Sequence, residues 1–228
     1  MLFGWFVFGP SIWILIPALI LAVYAQWRVR STYRRYAEVQ SERGLTAEAA
    51  ARRLLQDGFI GDVTIERTKQ AGRALSDHYD PRSKTLRLSA PDSTSVAAIG
   101  VAAHEAGHAM QHARGFGPLA LRSAIVPVAR FGSQLAFPLF FIGLLFRYEP
   151  LMTAGIVLFS AAVLFTLVTL PVEFDASRRA VASLRSSGLV SIEELGAVKE
   201  VLFAAALTYV AAAAMAVLQL LLLLGRRR

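Results

Sequence analysis

Long apolar runs separated by polar stretches divide the chain. The first, within residues 1–27, carries no charge from 4 to 27 and is long enough to cross a hydrocarbon core as a helix. Two more runs, 124–146 and 151–170, are joined by a short polar link and predict a transmembrane hairpin over 124–170. A polar segment, 171–200, precedes a last apolar run and basic tail, 201–228. The pattern predicts a multi-pass membrane protein.

The stretch between the first and second runs, residues 28–123, has the mixed pattern of a small folded part. Thr46 can cap a helix over residues 47–57. Two segments with alternating apolar residues, together with a turn at 80–83 where Pro81 suits the second turn position, predict a small antiparallel hairpin. The alternating apolar positions are Val63, Ile65, Leu86 and Leu88.

A second helix is predicted from about residue 95 to residue 114, capped by one of the residues 92–94. Its middle carries His104-Glu105-Ala106-Gly107-His108, an H-E-x-x-H motif. A spacing of four places both imidazoles on one face, about one turn apart, where they can bind one Zn²⁺. Glu105 points to a neighbouring side and is the candidate general base. The alternative is a helix whose histidines serve only packing or an interface and bind no metal.

Composition and charge narrow the class of protein. The chain has no cysteine, so a metal must be held by His, Asp or Glu. It is 55% hydrophobic and only 18% charged, which favours a membrane protein over a soluble one. The net charge of +8 is explained by membrane flanks, so we expect no nucleic-acid partner. The flank after the first run (Arg28, Arg30, Arg34 and Arg35) predicts that residues 28–123 are cytoplasmic.

A catalytic zinc site needs a third protein ligand, and Glu173 is the best candidate. It lies directly after the predicted hairpin, which returns the chain to the membrane face where His104 lies. Asp175 is a competing ligand, and either carboxylate could instead be a solvated charge.

Other polar residues near the motif have weaker claims to a role. His112 continues the helical face and is either a partner of the site or a surface histidine. Arg178 and Tyr209 are candidates for oxyanion stabilisation, and His78 is more simply a turn residue. The strand around Leu86 could be an edge to which an extended peptide adds.

A family resemblance extends from about Tyr33 to Leu224. It is carried by HEAGHAMQHA, SDHYDPRSKTLRLS, LPVEFDASRRA and AAALTYVAAA. These segments resemble the YugP-type neutral zinc metallopeptidases of bacterial membranes. The resemblance implies zinc, a membrane location and protease activity.

A more distant similarity is to the gluzincin membrane proteases of the HtpX and CAAX-protease type. Their later motif, E-x-x-x-D, maps the third ligand onto Glu173. Four residues further on this chain has Ser177, and Asp175 is only two residues on, about half a helical turn. The orientation of His104 or His108 is therefore expected to depend on another group.

These observations predict a mainly α, multi-pass membrane protein with a small α+β metallopeptidase part carrying the HEXXH helix. The expected function is a zinc-dependent endopeptidase of the bacterial inner (plasma) membrane, with its site on the cytoplasmic side and a peptide or protein as substrate. The first alternative is a non-catalytic zinc-binding membrane scaffold or regulator. A transporter is a second alternative, favoured only by Arg130 and Gln134 within an apolar run.

Overall fold

The structure is a computed structural model and describes residues 13–68 and 76–226. Within these ranges the fold is mainly helical, as predicted, and includes one small sheet. In chain order the elements are α1 (Ile16–Ala37), α2 (Ala47–Asp57), β1 (Thr64–Arg67), β2 (His78–Asp80), β3 (Thr85–Leu88), α3 (Val96–Ala113), α4 (Gly117–Leu145), α5 (Glu149–Ser187) and α6 (Ile192–Arg226).

Four helical segments are long and apolar enough to cross a membrane. They are Trp13–Ala37, which contains α1, and the helices α4, α5 and α6. The prediction of four such helices is confirmed. Residues 4–12 of the first apolar run lie outside the described residues.

The helices extend beyond the apolar runs that predicted them. α1 continues past Trp27 through the arginine-rich flank, because arginine is a good helix former. α5 continues through Pro171 to Ser187 without a break. The polar segment 171–200 is therefore the end of α5, a short turn and the start of α6.

The described chain forms two compact units. The apolar unit comprises residues 13–26, 120–171 and 208–226, and the mixed unit comprises residues 27–119 and 172–207. Each unit has a buried hydrophobic core of its own. The predicted metal ligands and the predicted general base all lie in the mixed unit.

The core of the mixed unit joins all the elements that carry chemistry. Leu54 of α2 and Ile99 of α3 are fully buried against each other's helices, with Leu86 of the sheet in the same cluster. Leu184 of α5 and Val198 of α6 complete the cluster. Burial of each large apolar side chain contributes about 1.5–3 kcal/mol. The packing of α3 against α5 is thus part of one buried core that also includes α2, the sheet and α6.

Side-chain caps define where α2 and α3 begin. Thr46 Oγ1 accepts a hydrogen bond from the backbone N–H of Ala49 at 3.1 Å, which confirms the predicted cap. α3 is capped by Ser95, whose Oγ accepts from the backbone N–H of Ala98 at 3.3 Å. The predicted cap among residues 92–94 is wrong, because it is Ser95 whose extended backbone brings a hydroxyl over the first turn.

The sheet has the strand order β1-β3-β2. β2 and β3 are antiparallel across the turn at Pro81, where Asp80 Oδ1 accepts from the backbone N–H of Arg82 at 3.0 Å. β1, which contains Ile65, pairs parallel with β3. A tight turn joins only antiparallel neighbours, so the predicted hairpin is β2–β3 and excludes β1. The prediction that Leu86 lies on an edge is wrong, because β3 is paired on both sides.

In the apolar unit, α4 and α5 approach each other closely. A Cβ atom on Gly155 would lie 2.6 Å from the carbonyl oxygen of Ala136, so a side chain at this position would clash. Phe140 and Phe159 are buried in the core of this unit, together with Leu223 of α6. The predicted helical hairpin is therefore present as a tightly packed pair.

A capping box starts α6 in the mixed unit. Ser191 Oγ accepts from the backbone N–H of Glu194 at 3.3 Å, and Glu194 Oε2 accepts from the backbone N–H of Ser191 at 2.7 Å. The other carboxylate oxygen of Glu194 accepts from the backbone N–H of Glu42 at 2.8 Å. This buried side chain ties the start of α6 to the segment that follows α1.

We expect Glu194→Ala to lower the free energy of unfolding by about 1–3 kcal/mol, because two backbone N–H groups lose their acceptor. The matched control is Glu193→Ala, which removes the same charge from an exposed neighbour and should change stability by less than about 0.5 kcal/mol. Thermal unfolding of the purified protein in detergent measures both. Equal losses for the two variants would contradict the role given to the cap.

Candidate metal centre

Three side chains that can ligate a metal converge between α3 and α5. His104 and His108 come from α3, and Glu173 comes from α5. Glu173 Oε2 lies 3.2 Å from His104 Nε2 and 3.7 Å from His108 Nε2. One ligand atom from each of the three lies within 4.8 Å of the others. Among the described residues, these three are the group whose geometry could hold a metal ion.

The close approach of α3 and α5 depends on a glycine. A Cβ atom on Gly107 would lie 2.5 Å from the carbonyl oxygen of Ala176 and 3.2 Å from its Cα. No side chain fits at that distance, so the two backbones touch only because residue 107 has none. Gly107 lies between the two histidines, and Ala176 lies one turn after Glu173. The contact therefore occurs at the level of the site itself.

The site is shielded from solvent. The side chains of His104 and His108 are 14% and 10% exposed, and that of Glu173 is 3% exposed. Burial by itself lowers the pKa of the His108 imidazole, but the carboxylates of Glu173 and Glu105 outweigh it and raise that pKa above its ordinary value. Glu105 is itself buried on α3, so a second carboxylate acts on His108.

His104 has a neutral partner on its second ring nitrogen. Its Nδ1 lies 3.1 Å from Ser177 Oγ, while its Nε2 faces Glu173. Ser177 is one turn after Glu173 on α5, the position at which the E-x-x-x-D pattern has its aspartate. The serine hydroxyl thus occupies the place of that acid in the sequence pattern and contacts an imidazole nitrogen.

His108 also has a neutral hydrogen-bond partner, Gln111. His108 Nδ1 lies 3.0 Å from Gln111 Oε1. The amide nitrogen of Gln111 donates to the carbonyl oxygen of Val172 at 2.8 Å and to Asp175 Oδ2 at 2.9 Å. Two acceptors on the nitrogen fix which way the amide points, so Oε1 faces the imidazole. Arg179 forms an ion pair with the same Asp175 oxygen.

Asp175, which the sequence offered as a competing ligand, instead lies beside the three converging side chains. Its Oδ2 is engaged by Gln111 and Arg179, and it is outside the group of three that could hold a metal. The guanidinium of Arg179 also lies 5.6 Å from the ring centroid of Phe116. Asp175 thus connects the two helices through Gln111.

The other two histidines, His112 and His78, make contacts outside the group of three converging side chains. His112 Nδ1 is 2.9 Å from the Tyr79 hydroxyl. Burial and the nearby carboxylates of Asp62 and Asp80 raise the pKa of Tyr79 to about 12, so this hydroxyl stays protonated. His78 Nδ1 lies 3.0 Å from the carbonyl oxygen of Ser76 in its own turn.

The two candidates for oxyanion stabilisation belong to different units of the described chain. Arg178 lines a cavity between α5 and α6 of the mixed unit. Tyr209 belongs to the apolar unit.

The donor set fits zinc. Two imidazole nitrogens and one carboxylate oxygen are ligands that Zn²⁺ accepts, and three protein ligands are the number found in catalytic sites. The burial of the three side chains and the hydrogen bonds on both Nδ1 atoms are what such ligands require for a fixed orientation.

Comparison with known proteins identifies the class. A family model described as "Putative neutral zinc metallopeptidase" matches residues 11–228. The chain belongs to this family, which confirms the resemblance found in the sequence. "Putative membrane protease YugP" of Bacillus subtilis (strain 168) is 45% identical over 212 residues, which cover 92% of this chain and 93% of the relative. No solved structure matches the chain.

Sequence reasoning did not identify Gln111 as a partner of the site. The available signal was its spacing, because residues three apart on a helix share a face and Gln111 follows His108 by three. Ser177 was noted only as a departure from the E-x-x-x-D pattern. Its contact with His104 becomes visible only when α3 and α5 are placed side by side.

We expect Gly107→Ala to lower the free energy of unfolding by about 1–3 kcal/mol, since the added methyl group forces α3 and α5 apart. The same displacement should reduce metal uptake, because the ligands lie on different helices. Gly196→Ala is the matched control: a Cβ there meets nothing within 4 Å, so stability should stay the same or rise by up to about 1 kcal/mol. Thermal unfolding and bound zinc per chain are the measurements. A Gly107→Ala protein as stable and as metal-loaded as the control variant would disprove the close-approach argument.

Proposed function

We propose that this protein is a membrane-bound zinc-dependent endopeptidase in which His104, His108 and Glu173 hold the ion and Glu105 is the general base. The observation that carries the proposal is the convergence of the three donors from two helices into one buried group. Membership of a family described by zinc metallopeptidase activity supports the same function.

Each residue has a separate task in this proposal. The ion, when bound, supplies Lewis acidity toward a water molecule and the scissile peptide carbonyl. Glu105 accepts a proton from the attacking water on its carboxylate and passes it to the nitrogen of the leaving amine. Its position next to His104 on α3 and its burial support this role.

The outer partners fix the tautomers of the two histidines. When Nε2 of each ring faces the ion, Nδ1 carries the proton and donates it, to Ser177 Oγ from His104 and to Gln111 Oε1 from His108. Both acceptors are neutral, so they orient the rings without adding negative charge to the site. The charge of the ion is then balanced mainly by Glu173 and by the nearby Glu105.

The non-catalytic alternative fits these residues less well. A structural zinc site is closed by four protein ligands, whereas the described group offers three. Such a site also has no use for a buried Glu105 beside the ligands. The geometry therefore favours hydrolysis over a zinc-binding scaffold.

We place the enzyme in the bacterial inner membrane with its site on the cytoplasmic side. The four apolar helices, the arginine-rich part of α1 and the similarity to a protein named as a membrane protease support this location. The substrate is a peptide or protein segment, including segments of other membrane proteins that are extended or locally unfolded near the bilayer.

Glutamate substitutions separate metal binding from catalysis. Glu105→Gln keeps the shape of the side chain but removes the base, so zinc should stay near one per chain while hydrolysis of a casein-type substrate falls by about 10²–10⁴-fold. Glu173→Ala removes a ligand, so zinc affinity should fall by more than the roughly 10–100-fold typical of losing an outer partner. Zinc competition with a chelator and proteolysis are measured on the same preparations.

The matched control is Asp175→Ala, on the same helix. Asp175 touches the site only through Gln111, so its loss should weaken zinc binding by at most about 10–100-fold. Metal loss in Asp175→Ala but not in Glu173→Ala would reverse the ligand assignment. Unchanged proteolysis by Glu105→Gln would refute the general base.

The proposed orientation can be tested by labelling single cysteines, because the chain has none of its own. A membrane-impermeant maleimide should label Glu149→Cys in intact spheroplasts. It should label Arg43→Cys and Glu193→Cys only after lysis, because both positions lie on the face assigned to the cytoplasm. All three native side chains are exposed. Opposite results for positions 43 and 193 would exclude a shared face for α3 and the end of α5.

A further inference from the structure

A cavity of about 640 Å³ lies in the mixed unit between the end of α5 and the start of α6. Its apolar lining includes Phe174 and Val181 of α5 and Phe203 of α6. Phe174 and Phe203 are 42% and 59% exposed, so two aromatic rings border a cavity open to the surroundings. Aromatic and aliphatic groups in this arrangement can bind a hydrocarbon chain.

Positive charge accompanies the apolar lining. Arg178, Arg185 and Lys199 all line the cavity, and no carboxylate does. In the described part of the chain none of these three cations forms an ion pair. Asp175 lies close enough to Arg178 for an electrostatic interaction, but its ion pair is with Arg179. Glu200, next to Lys199 in sequence, accepts a hydrogen bond from the Tyr36 hydroxyl at 2.9 Å.

The cavity has an apolar end and a charged end. Phe174 follows the apolar run of α5 by one turn, and Phe203 lies within the apolar run of α6. Arg185 and Lys199 lie toward the turn that joins the two helices. Phe174 and Arg185 are separated by roughly 16 Å along a helix axis. Arg178 lies between these two levels, one turn after Phe174, so the cationic side chains begin one turn beyond the apolar end and continue to the turn between the helices.

We propose that this cavity binds an anionic phospholipid, with its phosphate at Arg178, Arg185 and Lys199 and an acyl chain along Phe174 and Phe203. Basic pockets beside membrane-spanning helices on the cytoplasmic side are suited to anionic headgroups. The apolar lining gives no reason for a free phosphate to bind here. The order of the two ends matches a lipid whose chain lies toward the apolar runs, whereas an acidic peptide has no such fixed order. The inference rests on the proposed membrane placement and is independent of the proposed hydrolysis.

The test compares lipids on the purified full-length protein in neutral detergent, by native mass spectrometry with phosphatidylglycerol and phosphatidylcholine of the same chain length. Phosphatidylglycerol should bind at least tenfold more tightly. The double variant Arg185→Gln/Lys199→Gln should weaken its binding by about 25-fold, roughly fivefold for each cation removed. Binding of phosphatidylcholine should not change.

A matched double variant, Arg43→Gln/Arg82→Gln, removes two exposed arginines of the same unit that do not line the cavity. It should alter phosphatidylglycerol binding by less than twofold. An equal loss in both double variants would show that net charge, not the cavity, attracts the lipid. Equal binding of the two lipids by the native protein would also overturn the proposal.

Competition distinguishes the lipid from other anions. Soluble glycerol phosphate that displaced phosphatidylglycerol at equal concentration would assign the cavity to a phosphate without a chain. An acidic peptide that did so would assign it to a peptide, and either result would refute the lipid. All these measurements can be made on Glu105→Gln protein. A failed hydrolysis assay therefore leaves the lipid result standing, and a failed lipid assay leaves the proposed function standing.

Discussion

The arrangement of the site depends on the contact between the backbone of α3 at Gly107 and that of α5 at Ala176. In this structure the ligand atoms of the two helices lie within 4.8 Å of one another at the level where the helix backbones almost touch. A single missing Cβ allows this, and the buried core of the mixed unit holds the two helices in place around it. The H-E-x-x-H motif thus carries a structural requirement at its fourth residue in addition to its chemical ones. A motif that kept both histidines and the glutamate but had a larger residue at 107 would not bring Glu173 into reach.

Neutral hydrogen-bond partners distinguish the surroundings of the two histidines. A carboxylate on Nδ1 would make each imidazole more basic and would add negative charge beside Glu173. Ser177 and Gln111 orient the rings without adding negative charge. The carboxylate of Asp175 reaches His108 only indirectly, because it accepts a hydrogen bond from Gln111, and it also forms an ion pair with Arg179. The arrangement keeps the ligands fixed while the negative charge close to the ion comes from the two glutamates.

Much of this arrangement could be predicted from local patterns. The helix over 47–57, the apolar runs and the return of the chain that brings Glu173 beside His104 follow from spacing, capping and length, which act over a few residues. The parallel pairing of β1 could not be predicted, because nothing in the alternation of Ile65 with its neighbours encodes the direction of a distant partner. The continuation of α5 through Pro171 was also missed, because a change in polarity does not by itself end a helix. Gln111 was missed because its role depends on Asp175, which lies 64 residues away in the chain.

The unbroken course of α5 has a mechanical consequence. One continuous helix carries both an apolar stretch long enough for a bilayer and, after Pro171, the carboxylate that faces the two histidines. In a helix each residue adds about 100° of rotation and about 1.5 Å of rise, so the direction in which Glu173 points is fixed relative to Ala176, whose backbone touches Gly107. An indel of a single residue between Glu173 and Ala176 would turn the carboxylate by about 100° relative to this contact, and so away from the two histidines.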